Sequence, residues 1–203
     1  MMGPIYVVTD AEAPLSVIDQ IKAAAQGGAA LIQIRDKTAS DADLAGLIAA
    51  VLPLVTAQGA RLIINDRVDL AIRTGVHGLH IGQGDGDPAL IRARIGADML
   101  LGLSVEAEEH LAHVPAGVDY LGVGPVRATA SKADHAPPIG FDGLARIITG
   151  TSLPCYAIGG LKPGDAPAVK AAGAVGMAVV SAVTRATDPQ SATRALVDAW
   201  RLA

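Results

Sequence analysis

The feature that most constrains the fold of this chain is a series of eight short apolar runs, rich in β-branched residues, along its whole length. Nearly every run ends in residues that can hold an anion or a metal ion. The runs cover residues 5–10, 30–37, 61–66, 78–83, 99–104, 119–125, 155–160 and 176–181. Continuous apolar runs of this length are typical of parallel strands that are buried on both faces.

Segments with helical spacing lie between the runs. Val17, Ile18 and Ile21, for example, fall on one face of a helix after the first run. Strands that alternate with helices must pair in parallel, and eight such units are the number at which a parallel sheet closes. We therefore predict an α/β fold, a single (β/α)₈ TIM barrel that occupies residues 1–203 as one domain. In such barrels the function lies at the C-terminal ends of the strands.

Composition and charge bear on partners and compartment. The net charge is −4 and the basic residues form no stripe with interleaved aromatic residues, so we expect no nucleic-acid partner. Only five residues are aromatic, which predicts that Val, Ile, Leu and Ala fill the interior of the protein. The lone Cys155 cannot form an internal disulfide, and no basic region precedes the first apolar run, which favours a cytoplasmic protein. Residues 44–60 lack charges but contain Pro53, so we predict a barrel helix and no membrane span.

Two carboxylates follow neighbouring runs. Asp66 closes the third run and Asp85 follows the fourth. Adjacent parallel strands are roughly 5 Å apart, so both carboxylates can reach one cation. Two carboxylate ligands leave most of an octahedral shell to water and phosphate oxygens, which is how Mg²⁺ is usually held beside a diphosphate. Either aspartate alone would more often be a helix N-cap or a salt-bridge partner.

Cationic side chains follow the second run. Strand alternation predicts that Gln33, Arg35 and Lys37 point the same way, with two cations placed for a multiply charged anion. This pattern indicates a diphosphate-binding segment. Surface salt bridges of these cations with Asp36 and Asp10 would explain the same residues.

A second anion site is predicted on the other half of the barrel. Gly159 and Gly160 end the seventh run and Ser181 ends the eighth, where backbone N–H groups can hold a phosphate. A tight turn alone would also explain the two glycines. The long polar loop 127–140 begins near this region and predicts a lid or a surface excursion.

The histidines indicate no metal site. His77 and His80 are three residues apart on one strand and should face opposite sides of it. The other three histidines are expected at the surface. We therefore assign no histidine a catalytic role.

Taken together, these motifs resemble the thiamine-phosphate synthase family over essentially the whole chain. The matching segments are QIRDK (33–37), INDRVDLA (64–71), HIGQGD (80–85), GLS (102–104), GVGPV (122–126), TASK (129–132), AIGG (157–160) and AVVSAV (178–183). Several motifs in the same order form a specific signal, although each of them alone would be weak.

The resemblance implies a transferase that joins 4-amino-2-methyl-5-pyrimidinylmethyl diphosphate to a thiazole phosphate and releases diphosphate. Mg²⁺ would bind to Asp66 and Asp85. The implied residues for the pyrimidine diphosphate are Gln33, Ile34, Arg35, Asp36, Lys37, Asn65, Ser104 and Lys132. Those for the thiazole phosphate are Thr129, Ser131, Gly160, Val180 and Ser181. Of these residues, Arg35, Lys37, Ser104 and Lys132 would have catalytic roles.

The family's chemistry is dissociative, so the resemblance implies no general base. Three departures from the family pattern stand out. Glu106 replaces a usual histidine, Arg127 and Ala128 replace a common Phe-Pro pair, and Ser131 replaces a second threonine. An inward-facing Glu106 would weaken binding of a diphosphate, because like charges repel each other. A helix N-terminal position would equally well turn Glu106 to solvent.

Three other functions fit parts of the pattern. A thiazole tautomerase-like sibling would share the fold, but it needs no diphosphate-binding segment. A sugar-phosphate isomerase would need an acid–base pair, and Asp10 has no evident partner for that role. A non-catalytic sensor of thiazole or thiamine phosphate would not need a second anion site. The alanine-rich outer helices permit a homodimer without specifying one.

Overall fold

Eight parallel strands close into a barrel in chain order in a computed structural model of the protein, which describes residues 3–129 and 136–203. The strands are β1 (Ile5–Val8), β2 (Leu31–Ile34), β3 (Arg61–Asn65), β4 (Gly78–Ile81), β5 (Leu100–Val105), β6 (Tyr120–Val123), β7 (Cys155–Ile158) and β8 (Gly176–Val179). Pairing of β8 with β1 leaves no open edge. The predicted TIM barrel is confirmed, and only β5 extends one residue beyond its predicted run.

Helices cover the outside of the barrel. They are α1 (Val17–Gly27), α2 (Asp41–Ala57), α3 (Val68–Thr74), α4 (Pro88–Ile95), α5 (Gly140–Thr149), α6 (Ala166–Ala171), α7 (Ser181–Thr184) and α8 (Pro189–Leu202). A 3₁₀ helix, Glu108–His113, replaces an α-helix between β5 and β6, and a second one, Pro163–Asp165, precedes α6. Within the described ranges, no helix has both the length and the apolar character needed to cross a membrane.

Side chains alternate along each strand and divide the core into two layers. On β1, Val7 packs outward against the helices, and Tyr6 points into the barrel. Tyr120 and Tyr156 also lie inside, and each of the three rings meets the other two edge to face at centroid distances of 5.5–5.9 Å. The predicted aliphatic interior is therefore confirmed for the layer between the strands and the helices, and it is wrong for the centre of the barrel. Three of the five aromatic residues fill the barrel and bring hydroxyl groups into it.

Candidate active site

A cavity of about 690 Å³ opens at the C-terminal ends of the strands, and residues from all eight strand ends line it. The predicted site residues in its lining are Gln33, Arg35, Asp36, Lys37, Asn65, Asp66, Asp85, Ser104, Thr129, Gly160, Val180 and Ser181. The predicted residues Ser131 and Lys132 lie outside the described ranges. One cavity thus brings together two predicted anion sites that are far apart in sequence.

Ile34 departs from the predicted set. Its side chain is fully buried between the barrel and the helices and does not line the cavity. The reason is strand alternation, because Gln33 points inward and its neighbour must point outward. The side chain of Ile34 therefore supports β2 and is not placed to touch a substrate.

Asp36 holds the turn that follows β2. Its Oδ1 accepts hydrogen bonds from the backbone N–H groups of Thr38 and Ala39, each at 2.9 Å, and from the Thr38 hydroxyl at 2.8 Å. Partial burial raises the pKa of Asp36, but the hydrogen bonds from Ala39 and Thr38 outweigh it, and the pKa lies below its ordinary value. This charged carboxylate thus shapes the turn that places Arg35 and Lys37 at the cavity.

Asp66 and Asp85 influence each other electrostatically across the rim. Burial raises the pKa of Asp66, and the Asp85 charge raises it further. Asn65 Nδ2 donates to Asp66 Oδ2 at 2.8 Å, and the Gly82 N–H donates to Asp85 Oδ2 at 2.7 Å. Asp66 also has a left-handed backbone, with φ of 54°, which few residues other than glycine adopt. A divalent cation between the two carboxylates would relieve their repulsion.

The donor set is compatible with Mg²⁺. Within the described part of the chain, no group of three or more His, Cys, Asp or Glu side chains is arranged to hold a metal ion. A pair of carboxylates suits Mg²⁺ nevertheless, because this ion usually retains waters and binds substrate phosphates with one or two protein carboxylates.

The opposite side of the cavity is built from backbone. Gly159 and Gly160 have φ values of 105° and 65°, so the turn after β7 uses conformations that favour glycine. A Cβ on Gly160 would lie 3.0 Å from the Arg127 Cβ and 3.1 Å from the Ala128 carbonyl oxygen. Ser181 begins α7, where the first N–H groups have no partner within the helix. These N–H groups can bind a phosphate without any charged side chain.

His80 is a site residue that sequence reasoning missed. Its ring lines the cavity, with Nε2 3.0 Å from Ser104 Oγ and Nδ1 3.2 Å from the Tyr120 hydroxyl. Burial lowers the pKa of His80 to about 4, so the imidazole is neutral near pH 7. His77 does not line the cavity, and its Nδ1 accepts a hydrogen bond from the Leu62 N–H. The two histidines therefore do not share a site, as predicted. The sequence feature that could have indicated His80 is its position near the C-terminal end of β4, where inward-facing side chains line the cavity.

Comparisons with known proteins agree with this arrangement. The family model described as thiamine monophosphate synthase matches residues 5–183. The chain belongs to this family. The thiamine-phosphate synthase of Roseiflexus sp. (strain RS-1) is 44% identical over 197 residues, which are 96% of this chain and 84% of that protein. The thiamine-phosphate synthase of Azorhizobium caulinodans is 44% identical over 195 residues, which are 95% of this chain and 92% of that protein.

A solved structure supports the family at the level of fold and sequence. The thiamine phosphate pyrophosphorylase from Pyrococcus furiosus superposes with a TM-score of 0.89 at 30% identity, covering 98% of this chain and 96% of that one. The family resemblance, the transferase class and the role in thiamine biosynthesis are thereby confirmed.

The departures from the family pattern have structural consequences. Arg127 forms a two-pronged ion pair with Asp165, at 2.6 and 2.7 Å, and its guanidinium lies 5.1 Å from the centre of the Phe141 ring. Its charge is therefore paired with the carboxylate of Asp165. Glu106 does line the cavity, beyond Ser104 on β5.

Proposed function

We propose that this enzyme joins 4-amino-2-methyl-5-pyrimidinylmethyl diphosphate to a thiazole phosphate and releases diphosphate. The observation that carries the proposal is a single cavity with two unlike anion-binding sides. The side over β2–β4 offers cations and a pair of carboxylates, which suits a diphosphate and its metal ion. The side over β7 and β8 offers backbone N–H groups and a hydroxyl, which suits a phosphate monoester.

Asp66 and Asp85 would hold Mg²⁺ on the diphosphate side. When bound, the ion supplies positive charge to the diphosphate oxygens. Arg35 and Lys37 add their own charges to the same anion from the turn after β2. Burial is the main cause of the raised pKa of Asp66, and the added contribution of the Asp85 charge supports this assignment.

The bond between the pyrimidinylmethyl carbon and the diphosphate oxygen breaks first, and its electron pair leaves with diphosphate. The aminopyrimidine ring carries the resulting cation until the thiazole nitrogen attacks with its lone pair. No proton moves in this substitution, so the cavity needs no general base. It needs no protein nucleophile either, and the buried Cys155, whose pKa is raised to about 12 by burial, is unsuited to be one.

The protein's contribution is charge stabilisation and alignment. Arg35, Lys37 and Lys132 would stabilise the departing charge, and Ser104 would bind the pyrimidine diphosphate beside it. Asn65 would contribute to the same side. On the other side, Thr129, Ser131, Gly160, Val180 and Ser181 would fix the thiazole phosphate, so that its ring nitrogen faces the reacting carbon.

The decisive experiment supplies both phosphorylated precursors with and without Mg²⁺. Thiamine phosphate is followed by its oxidation to fluorescent thiochrome, and diphosphate release is assayed in parallel. We expect equal, metal-dependent amounts of both products. Diphosphate without thiamine phosphate would show capture of the cation by water and would contradict the alignment role. Absence of both products would contradict the proposed reaction and favour a tautomerase or a phosphate sensor.

Compartment and assembly belong to the same proposal. Phosphorylated substrates are made and kept inside cells, and we propose that the enzyme works in the cytoplasm on two phosphorylated small-molecule substrates. The large apolar side chains of Ile72 and Leu90 are exposed on the neighbouring helices α3 and α4, which would suit a homodimer. Sedimentation equilibrium would measure the mass; a monomer at micromolar concentration would contradict the dimer.

A further inference from the structure

A chain of polar groups runs through the barrel interior to the cavity. Gln33 Nε2 donates to the Tyr6 hydroxyl at 2.5 Å, and the Tyr6 and Tyr120 hydroxyls are 3.0 Å apart. The Tyr120 hydroxyl lies 3.2 Å from His80 Nδ1, and His80 Nε2 lies 3.0 Å from Ser104 Oγ. Four hydrogen bonds thus connect the β2 amide to the β5 hydroxyl across the barrel.

The amide of Gln33 sets the donor-to-acceptor order of the four hydrogen bonds. An amide N–H can only donate, so Tyr6 accepts from Gln33 and must place its own hydrogen on another acceptor. Of its partners in the described structure, Tyr120 is the one with a free lone pair. Tyr120 then accepts from Tyr6 and donates to His80 Nδ1. Buried hydroxyl groups rarely leave their hydrogen without an acceptor.

The His80 nitrogen that carries the hydrogen decides whether the Ser104 hydroxyl can donate a hydrogen bond to a ligand. A neutral imidazole carries one N–H, and acceptance at Nδ1 leaves that N–H on Nε2. Nε2–H therefore donates to Ser104 Oγ. The serine hydroxyl, whose lone pair accepts this bond, retains its own hydrogen for an acceptor in the cavity.

Two glycines make room for this arrangement. A Cβ on Gly102 would collide with the Tyr120 hydroxyl and with His80 Nδ1, and a Cβ on Gly122 would lie 3.1 Å from His80 Cε1. Tyr120 itself is fully buried and is not part of the cavity lining. Any influence of its hydroxyl on a substrate must therefore pass through its hydrogen-bonded neighbours Tyr6 and His80, and the Tyr120 hydrogen is directed to His80.

We propose that Tyr120 is a positioning residue that selects the Nε2–H tautomer of His80 and so makes the Ser104 hydroxyl a hydrogen-bond donor to the pyrimidine diphosphate. The acceptor on that substrate is a ring nitrogen or a diphosphate oxygen. The identity of the substrate rests on the proposed function. The tautomer of His80 does not, and it can be measured without any substrate.

The first test is the ¹⁵N NMR spectrum of the histidine rings near pH 7, with the His80 signals assigned by their loss in His80→Gln. The wild-type protein is expected to show a protonated Nε2 and an unprotonated Nδ1 at His80. In Tyr120→Phe, which keeps the ring but removes the hydroxyl, we expect this single tautomer to be lost. A wild-type His80 protonated at Nδ1, or an unchanged tautomer in Tyr120→Phe, would overturn the proposal.

The second test is a double-mutant cycle with Tyr120→Phe, Ser104→Ala and the double variant. Tyr120→Phe is expected to lower kcat/KM for the pyrimidine diphosphate about tenfold, while the KM for the thiazole phosphate stays near its wild-type value. The double variant should be no worse than Ser104→Ala alone, because Tyr120 acts through Ser104. If the double variant instead lost kcat/KM by the product of the two single-variant factors, the proposal would be overturned.

Tyr156→Phe is the matched control. Tyr156 also lies among the interior rings, but its hydroxyl donates to the Gly3 carbonyl at 2.8 Å, away from His80. We expect its kcat/KM to remain close to that of the wild type; a loss equal to that of Tyr120→Phe would indicate a general packing effect and overturn the proposal. If the wild-type protein makes no thiamine phosphate, the proposed function fails, and the NMR test still decides the tautomer.

Discussion

The two sides of the cavity present different chemical groups to a ligand. Over β2–β4, the lining includes the charged side chains of Arg35, Lys37, Asp66 and Asp85. In the described structure, no charged side chain lines the cavity from β7, β8 or the loops that follow them. On that side the glycine turn and the start of α7 offer backbone N–H groups instead.

This difference indicates which changes each side can tolerate. Attraction of an anion to the charged side should depend on ionisation state and salt, because it would be carried by side-chain charges. The backbone side depends on shape, because a phosphate reaches N–H groups only where no side chain stands in the way. Charge substitutions should therefore act mainly on the first side and volume substitutions mainly on the second.

The largest expected effect comes from Asp85→Asn. This variant keeps an oxygen that can accept from the Gly82 N–H but removes the charge. We expect Mg²⁺-dependent kcat/KM to fall about 100- to 1,000-fold, comparable to the loss of one strong group that stabilises developing charge. Asp98→Asn removes an exposed charge at the opposite end of the barrel, before β5, and serves as the control. Near-normal turnover of Asp85→Asn at limiting Mg²⁺ would contradict the metal assignment.

The second effect concerns His80, on the strand that leads to Asp85. Its pKa is about 4 in the folded chain and 6.5 ordinarily, so protons favour the unfolded state as the pH falls through this interval. Between pH 7 and 4.5 this group should cost about 2 to 3 kcal/mol of unfolding free energy. Urea unfolding at both pH values measures this loss in the wild type and in His80→Gln. The variant should lose about 2 to 3 kcal/mol less unfolding free energy than the wild type. Equal losses in both proteins would refute the buried neutral state.

The third effect tests whether the two sides are separate. Arg35→Ala should raise the KM for the pyrimidine diphosphate about 10- to 100-fold, the size expected for a lost charge-assisted hydrogen bond. Ser181→Ala should raise the KM for the thiazole phosphate about two- to tenfold. Each variant should leave the KM for the other substrate nearly unchanged. Steady-state kinetics with one substrate varied at a time measures both KM values. Equal effects of a variant on both KM values would contradict two separate binding sites.

The smallest effect is expected from Gly160→Ala. At φ of 65°, and with close neighbours in the 127–128 segment, an alanine should cost about 1 to 2 kcal/mol of stability and weaken thiazole phosphate binding. Gly164→Ala is the matched control, because a Cβ there meets nothing within 4 Å. Thermal unfolding and the KM for the thiazole phosphate measure the two effects. Identical behaviour of the two variants would show that shape at Gly160 does not matter.

Sequence reasoning was most successful where periodicity repeats. Eight apolar runs predicted eight strands, and the polar residues at their ends predicted which side chains meet at the rim. Sequence reasoning said less about single positions in the QIRDK segment. Ile34 belongs to the outer layer because neighbouring strand residues point to opposite faces, and Asp36 lines the cavity while its Oδ1 holds the turn after β2.

His80 and Tyr120 show a different kind of limit. Each is a single polar or aromatic residue in an apolar run, with nothing nearby in sequence to indicate a partner. They meet only because adjacent strands β4, β5 and β6 place them side by side, over positions left empty by Gly102 and Gly122. Such contacts depend on strand register, and a single sequence does not reveal it.

The sequence by itself determined the barrel, the family and most of the residues at the rim, because strand periodicity and ordered motifs are local properties of the chain. The tertiary structure alone decided which groups act on one another. The coupling of Asp66 to Asp85, the neutral state of His80 and the direction of the Ser104 hydroxyl depend on distances and burial. These quantities exist only after the barrel has closed and excluded water from its interior.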